Sequence, residues 1–283
     1  GLGWLLARSG LRPLREVTLV AASVSAKSLT ERIPSESTPA ELQQLVLAFN
    51  AMLARLEDAF VRLSNFSADI AHELRTPLSN LMTHTEVVLT RARSREDYQE
   101  NLYSNLDELR RMARMIDDML FLAKADNGLV VPERQSIELH VLCETLLDFY
   151  QLTADERGIR FVLSGDARIH GDPAMLRRAL SNLLSNALRY TPDGGTIQLA
   201  IEAGEQGVSL SIGNPGVGIP EQHLPRLFDR FYRVDPARRE GSPSNAGLGL
   251  AITRSIIEAH HGEIHCNSRD GWTSFDILFR SAD

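Results

Sequence analysis

Apolar residues at Leu42, Leu45, Phe49, Met52, Leu56, Ala59, Leu63, Phe66 and Ile70 recur at spacings that alternate three and four, the seam of a coiled coil. A second seam runs Leu102, Leu106, Leu109, Ala113, Ile116, Leu120 and Ala123. The stretch between them, Arg91 to Asp97, is short and charged, as the turn of a helical hairpin requires. Two long antiparallel helices are therefore expected. One isolated hairpin would leave both seams wet, whereas two hairpins from two chains would bury them in a four-helix bundle, so the pattern predicts a homodimer.

Beyond Asp126-Asn127-Gly128 the period changes. Arg160 to Leu163, Thr196 to Ile201, Val208 to Ile212 and Ser274 to Phe279 alternate in period two with helical stretches between them, which predicts a mixed sheet-and-helix domain. Ahead of the bundle, Pro13 to Ser25 reads as a weakly amphipathic helix and Ser28 to Pro39 as a polar connector. Glu41 restarts a helix that runs unbroken into the first seam. The fold class is multidomain: an all-α coiled-coil and four-helix-bundle region followed by an α+β domain. The expected boundaries are 1–61 for the relay, 62–128 for the hairpin and 129–283 for the mixed domain.

Composition narrows the function. At 283 residues the chain has room for more than one core, and its formal net charge of −7 lacks the basic excess that neutralises a nucleic-acid backbone. The cysteines, Cys143 and Cys266, stand far apart and outside any CxxC spacing, which suggests neither a zinc site nor a disulfide framework. Leu2, Trp4, Leu5, Leu6 and Ala7, followed by Arg8, Arg12 and Arg15, are too short to cross a bilayer. They read either as the inner flank of a membrane-spanning helix or as an ordinary amphipathic segment.

Candidate chemistry sits at the end of the first seam. At about 100° per residue, His72 lies roughly 200° around the helix from the seam residue Ile70 and should face solvent. Asn65, Asp69, His72 and Thr76 share its polar stripe. Histidine suits phosphoryl capture because one ring nitrogen offers a lone pair while the other holds a proton that a carboxylate can orient, and Glu73 is the neighbouring candidate base. Pro77 should kink the helix just past it. An exposed helical histidine is, on its own, more often just a surface residue; the surrounding motif changes that weighting. The segment Phe66-Ser67-Ala68-Asp69-Ile70-Ala71-His72-Glu73-Leu74-Arg75-Thr76-Pro77-Leu78 resembles, without a gap, the phosphoacceptor box of bacterial sensor histidine kinases.

In the C-terminal half, Asn182, Asn186, Arg189 and Tyr190 fall on one helical face, opposite Leu176, Leu180, Leu183 and Ala187. Asparagine oxygens are hard ligands of the kind Mg²⁺ takes beside phosphate oxygens, with Asn186 the first choice and hydrogen bonding at the surface the plain alternative. Asn214-Pro215-Gly216-Val217-Gly218-Ile219 and Gly247-Leu248-Gly249-Leu250-Ala251 are glycine clusters that let backbone approach a nucleotide. The only lysines, Lys27 and Lys124, follow no glycine pair, which excludes a P-loop.

In order, Asn182 to Pro192, Asn214 to Ile219, Phe228-Asp229-Arg230-Phe231-Tyr232-Arg233 and Gly247 to Ala251 resemble the N, G1, F and G2 boxes of the Bergerat-type ATP-binding fold. The resemblance implies that Asn186 holds Mg²⁺ with ATP, supported by Asn182. It implies that Tyr190 packs near adenine, that Asn214 stands at the adenine-reading position, that Arg189 and Arg233 meet phosphates with Gly247 and Gly249 closing over them, and that Gly216, Gly218, Arg230 and Leu248 also belong to the cofactor-binding set. Two positions depart from the family pattern: Asn214 stands where aspartate is usual, and Asn245 where the first G2 glycine is usual. The Asn-Pro-Gly form and Leu224 to Asp235 resemble the heavy-metal-responsive branch, and Pro13, Glu41-Leu42 and Ala48 to Met52 are similar to HAMP relay modules.

The resemblance thus implies a dimeric kinase at the bacterial inner membrane, held by a preceding transmembrane helix, with this part cytoplasmic. It would use ATP and Mg²⁺ to phosphorylate His72 and pass the group to a response regulator, and Thr76 would position water to dephosphorylate that regulator. The competing readings are another Bergerat ATPase of gyrase or chaperone type, and a kinase-deficient scaffold or phosphatase that binds its regulator.

Overall fold

The computed structural model describes residues 40–234 and 247–280, together with Thr30, Arg32 and Ile33. The expected helix from Pro13 to Ser25, most of the polar connector and Asn245 lie outside the described residues. The chain divides into two compact units, one through Thr83 and one from His84 onward.

In the first unit, helix α1 (Ala40–Leu89) carries the first seam and continues into the second unit. Glu41 thus lies in a helix that runs on without interruption, as its pattern predicts. The helix also runs through Pro77 without a break. The missing proline N–H leaves one carbonyl of the preceding turn unmatched, a loss a long helix tolerates without terminating. Ile33, Val46 and Leu53 are buried. Asn50 ties the connector to the helix by a reciprocal pair: its Oδ1 accepts from the Ile33 N–H at 3.0 Å and its Nδ2 donates to the Ile33 carbonyl at 2.9 Å.

The second unit opens with the end of α1, a turn, and helix α2 (Arg95–Asp126). The turn is set by a capping box: the Ser94 side chain accepts from the Asp97 N–H at 3.1 Å, and the Asp97 carboxylate accepts from the Ser94 N–H at 3.1 Å. Leu102, Leu106, Leu109, Ile116 and Leu120 of the second seam remain exposed within one chain. A different stripe, Met115, Met119 and Leu122, is buried.

The mixed domain has a five-stranded sheet formed by β2 (Arg160–Ser164), β4 (Thr196–Gly204), β5 (Gly207–Pro215), β6 (Gly262–Arg269) and β7 (Trp272–Arg280). Its order is β2-β4-β5-β7-β6. β2 pairs with β4 in parallel and the other neighbours are antiparallel. A separate two-stranded ribbon joins β1 (Gln135–Glu138) to β3 (Arg168–Gly171).

Helices α3 (Leu139–Asp155), α4 (Pro173–Tyr190) and α5 (Gly249–Ala259) complete the domain, with α4 packed on both neighbouring helices and on β5. Strand alternation assigns the two faces. Ile197, Leu199, Ile201, Leu210, Ile212, Phe275, Ile277 and Phe279 are buried. Between them, Ser211 and Ser274 donate to the Asp276 carboxylate on the opposite, polar face. The result is a two-layer sandwich of helices on a sheet.

Candidate functional site

His72 and Thr76 are exposed on α1, with Asn65 and Asp69 on the same exposed stripe, and Glu73 is half-buried beside them. These residues occupy the first compact unit, and the nucleotide-type residues occupy the second.

Helix α4 carries the first of those. Its start is fixed by Asp172, whose Oδ1 accepts from the N–H groups of Ala174 at 2.9 Å and Met175 at 3.1 Å, with Pro173 at the first helical position. Its end is fixed by Thr191, which donates to the Ala187 carbonyl at 2.6 Å, and by Arg157, which donates to the Leu188 and Thr191 carbonyls. Leu176, Leu180, Leu183 and Ala187 are buried, and this turns Asn182, Asn186 and Arg189, all half-buried, to one edge of the core, with Tyr190 exposed at the end. Among the described residues, no hydrogen bond engages the Asn186 side chain. Asn182 is committed: its Nδ2 donates to the Gly249 carbonyl at 3.0 Å, which also accepts from the buried Thr253 hydroxyl at 2.9 Å. The N-box helix is thereby tied to the first residue of α5.

Asn214 ends the buried face of β5 at 4% exposure, and its Nδ2 donates to the Pro215 carbonyl at 2.9 Å. The chain then turns against the end of α4. A Cβ on Gly216 would come 3.0 Å from the Tyr190 carbonyl oxygen, tighter than nearly all side-chain contacts, so the N and G1 segments meet closely, backbone to backbone. The far side of the loop is held by the Gly216 N–H on the Gly271 carbonyl at 2.8 Å and the Ile219 N–H on the Ser268 hydroxyl at 2.8 Å. Gly218 adopts a positive φ of 80° within it.

The F and G2 segments also meet. The Phe231 N–H donates to the Gly247 carbonyl at 3.0 Å. Gly247 has φ +71°, and a Cβ there would lie 2.8 Å from the Phe231 carbonyl carbon. Phe231 itself has φ +61°, a conformation that costs a bulky residue about 1–3 kcal/mol unless its surroundings hold it. Leu248 is buried and Gly249 opens α5. Arg230 forms an ion pair with Asp126 at the end of α2. Arg233 is half-buried and, among the described residues, makes no hydrogen bond or ion pair.

The structure therefore gathers Asn182, Asn186, Arg189, Tyr190, Asn214, Gly216, Gly218, Gly247, Leu248 and Gly249 around the junction of α4, the end of β5 and the start of α5. Sequence reasoning missed three polar contacts elsewhere in the same unit. Asp118 of α2 pairs with Arg178 of α4, whose guanidinium also lies 4.7 Å from the centre of the Phe121 ring. Burial pushes the Asp118 carboxyl above the usual carboxylate range, outweighing Arg178. His260, buried at the end of α5, accepts from the Asp172 N–H on Nε2 at 2.9 Å and bonds the Ile256 carbonyl through Nδ1 at 2.7 Å. His223 bonds Tyr232. None of these has a local sequence signal, because each joins residues distant in the chain or embedded in an otherwise polar turn.

Three family models match, in order: HAMP domain over residues 5–58, His Kinase A (phospho-acceptor) domain over 62–128, and histidine kinase-, DNA gyrase B- and HSP90-like ATPase over 171–283. The sensor protein CopS of Pseudomonas syringae pv. tomato is 58% identical over 246 residues, covering 87% of this chain and 50% of its own. The sensor histidine kinase CusS of Escherichia coli strain K12 is 49% identical over 275 residues, covering 96% and 57%. The chain thus spans about half the length of the curated relatives it matches. The solved structure of histidine kinase ThkA in complex with response regulator protein TrrA aligns with a TM-score of 0.64 at 22% identity, over 80% of this chain and 64% of that one, a likeness of fold. With a helical phosphoacceptor region, a helix-on-sheet ATPase sandwich and relatives at these identities, the chain belongs to the sensor histidine kinases.

Proposed function

We propose that this chain is the transmitting part of a two-component sensor kinase that phosphorylates His72 from ATP and passes the phosphoryl group to an aspartate of a response regulator. The observation that carries the reading is an exposed phosphoacceptor histidine, with a half-buried carboxylate beside it, in the same chain as the N, G1 and G2 cradle. One ring nitrogen of His72 attacks the γ-phosphorus and the bond to the β,γ-bridging oxygen breaks. ADP leaves with that electron pair, and the imidazole proton passes to Glu73. Catalysis of this kind rests on positioning and charge neutralisation.

Asn186 fits the role of Mg²⁺ ligand because its amide is uncommitted while that of Asn182 is tied to Gly249. Among the described residues no group of three His, Cys, Asp or Glu could hold a metal ion, so the ion would be held jointly with the phosphates. It would neutralise charge there. Arg189 and Arg233 serve the phosphates, Tyr190 and Asn214 the base, and Thr76 positions water for a regulator phosphatase activity.

A homodimer, an inner-membrane anchor ahead of the HAMP-like segment and a heavy-metal signal complete the proposal; the last follows the Asn-Pro-Gly form of the G1 loop. The proposed domain limits are 1–61, 62–128 and 129–283. No described helix is long and apolar enough to cross a membrane.

The test is to incubate the purified chain with Mg²⁺ and γ-labelled ATP beside His72→Gln. Acid-labile, alkali-stable label on the parent alone is the expected result. A folded dimer that binds ATP but takes no label would favour the scaffold or phosphatase reading, which Asn214 in place of aspartate motivates.

A further inference from the structure

We propose that His223 is a positioning residue for nucleotide phosphate binding: through Tyr232 it fixes the stretch of chain from which Arg233 departs. The inference rests on the ATP reading above and adds a residue that no motif singled out.

A short 3-10 turn, Glu221–Arg226, follows the G1 loop and carries His223. His223 Nδ1 lies 2.5 Å from the Tyr232 hydroxyl, a short and directional contact. The Arg226 guanidinium lies over the Tyr232 ring, 4.5 Å from its centre, and Arg226 Nε is 3.4 Å from the Asp229 carboxylate. One turn of chain thus holds the phenol at its hydroxyl and covers a ring face.

The reason to hold this tyrosine lies in its neighbours. Phe231 sits at φ +61°, where a bulky residue stays only if its surroundings over-determine it. Three restraints do so: the Phe231 N–H on the Gly247 carbonyl, the Arg230 ion pair with Asp126 on one side, and the Tyr232 bond to His223 on the other. Arg233 is the next residue and, among the described residues, has no ion pair or hydrogen bond of its own. Releasing Tyr232 lets Phe231 relax and shifts the root from which Arg233 reaches the phosphates. Among the described residues, neither Asn214 nor Tyr190, the residues assigned to the base, makes a hydrogen bond to His223 or Tyr232. His223 therefore acts on phosphate-dependent affinity and not on base recognition.

The experiment compares the parent chain with Tyr232→Phe, which removes one hydroxyl and keeps the ring under Arg226, and with His223→Ala, His223→Asn and the double variant. ATP dependence of His72 labelling and direct binding of ATP and of adenosine are measured. The expected result is a KM for ATP raised about tenfold in Tyr232→Phe and His223→Ala with kcat little changed, and no further loss in the double variant. Adenosine binding should stay within about twofold, and His223→Asn, which keeps a hydrogen-bonding atom near the Nδ1 position, should recover much of the loss. Tyr232→Phe with the parental KM, additive losses, or equal loss of adenosine and ATP would overturn the proposal while leaving the ATP reading intact. A parent chain that binds no ATP would overturn both.

Discussion

At the residue scale, His260 shows how a buried polar group can join two helices. Its Nε2 accepts the Asp172 N–H and its Nδ1 bonds the Ile256 carbonyl, which requires the neutral ring with the proton on Nδ1. Burial lowers its pKa from the ordinary 6.5, helped by Arg134 and His261 and opposed by the Ile256 bond and Asp172. Because the unfolded histidine binds protons more strongly, its contribution to stability is full above about pH 6.5 and declines as pH falls toward the depressed folded value. Denaturant unfolding of the parent should show this loss between neutral pH and pH 5, and His260→Gln should flatten it.

Asp172 titrates lower. Desolvation raises its pKa, but the N–H groups of Met175, Glu133 and Ala174 outweigh it and hold the carboxyl below the usual 3.8. Its contribution is present above about pH 4 and lost only as pH falls through that lowered value. Gly247 is a glycine whose replacement strains the F and G2 contact. Gly247→Ala places a Cβ against the Phe231 backbone at positive φ, so ATP affinity should fall at least about tenfold, as titration calorimetry would read. An unchanged affinity would mean the F and G2 contact is dispensable.

At the element scale, α2 has two apolar faces where the sequence pattern showed one. The seam is exposed, while Met115, Met119 and Leu122 are buried on a helix that packs against α5. Asp118 and Phe121 meet Arg178 of α4. Met119→Ala should cost about 2–5 kcal/mol of local packing. It should loosen the end of α2 in hydrogen exchange while adenosine binding by the mixed domain is retained; a simultaneous loss of both would show that the helix end is part of the nucleotide fold. Ser94→Ala removes half of the capping box and should destabilise the start of α2 by about 1 kcal/mol, visible as faster exchange over its first turn.

At the scale of the whole molecule, the exposed seams are the surface a dimer would use. Leu56 at 46%, Leu63 at 60%, Leu106 at 41% and Leu109 at 53% exposure form apolar stripes too regular to be chance surface residues. A two-chain bundle would bury them. Leu109→Glu should shift the chain toward monomer in sedimentation at micromolar concentration, and His72 labelling should fall if transfer needs the dimer. A variant that remains dimeric would place the interface elsewhere.

The same scales separate what could be read in advance from what could not. The seams, the strands β2, β4, β5 and β7 and the four nucleotide boxes were legible because each is written in local spacing: period 3.5, period two, or glycines at fixed offsets. Strands β1, β3 and β6 escaped because they are short or carry too few apolar residues to register a period. The sequence by itself determined that a phosphoacceptor helix and an ATP-type domain lie in one chain, since periodicity and motif are properties of neighbouring residues. Only the tertiary structure decided that Asn182 is tied to Gly249, that His260 caps against Asp172, that Arg230 is paired with Asp126 and that His223 holds Tyr232. Those bonds depend on which side chains a folded core turns toward one another, and no spacing along the chain encodes that.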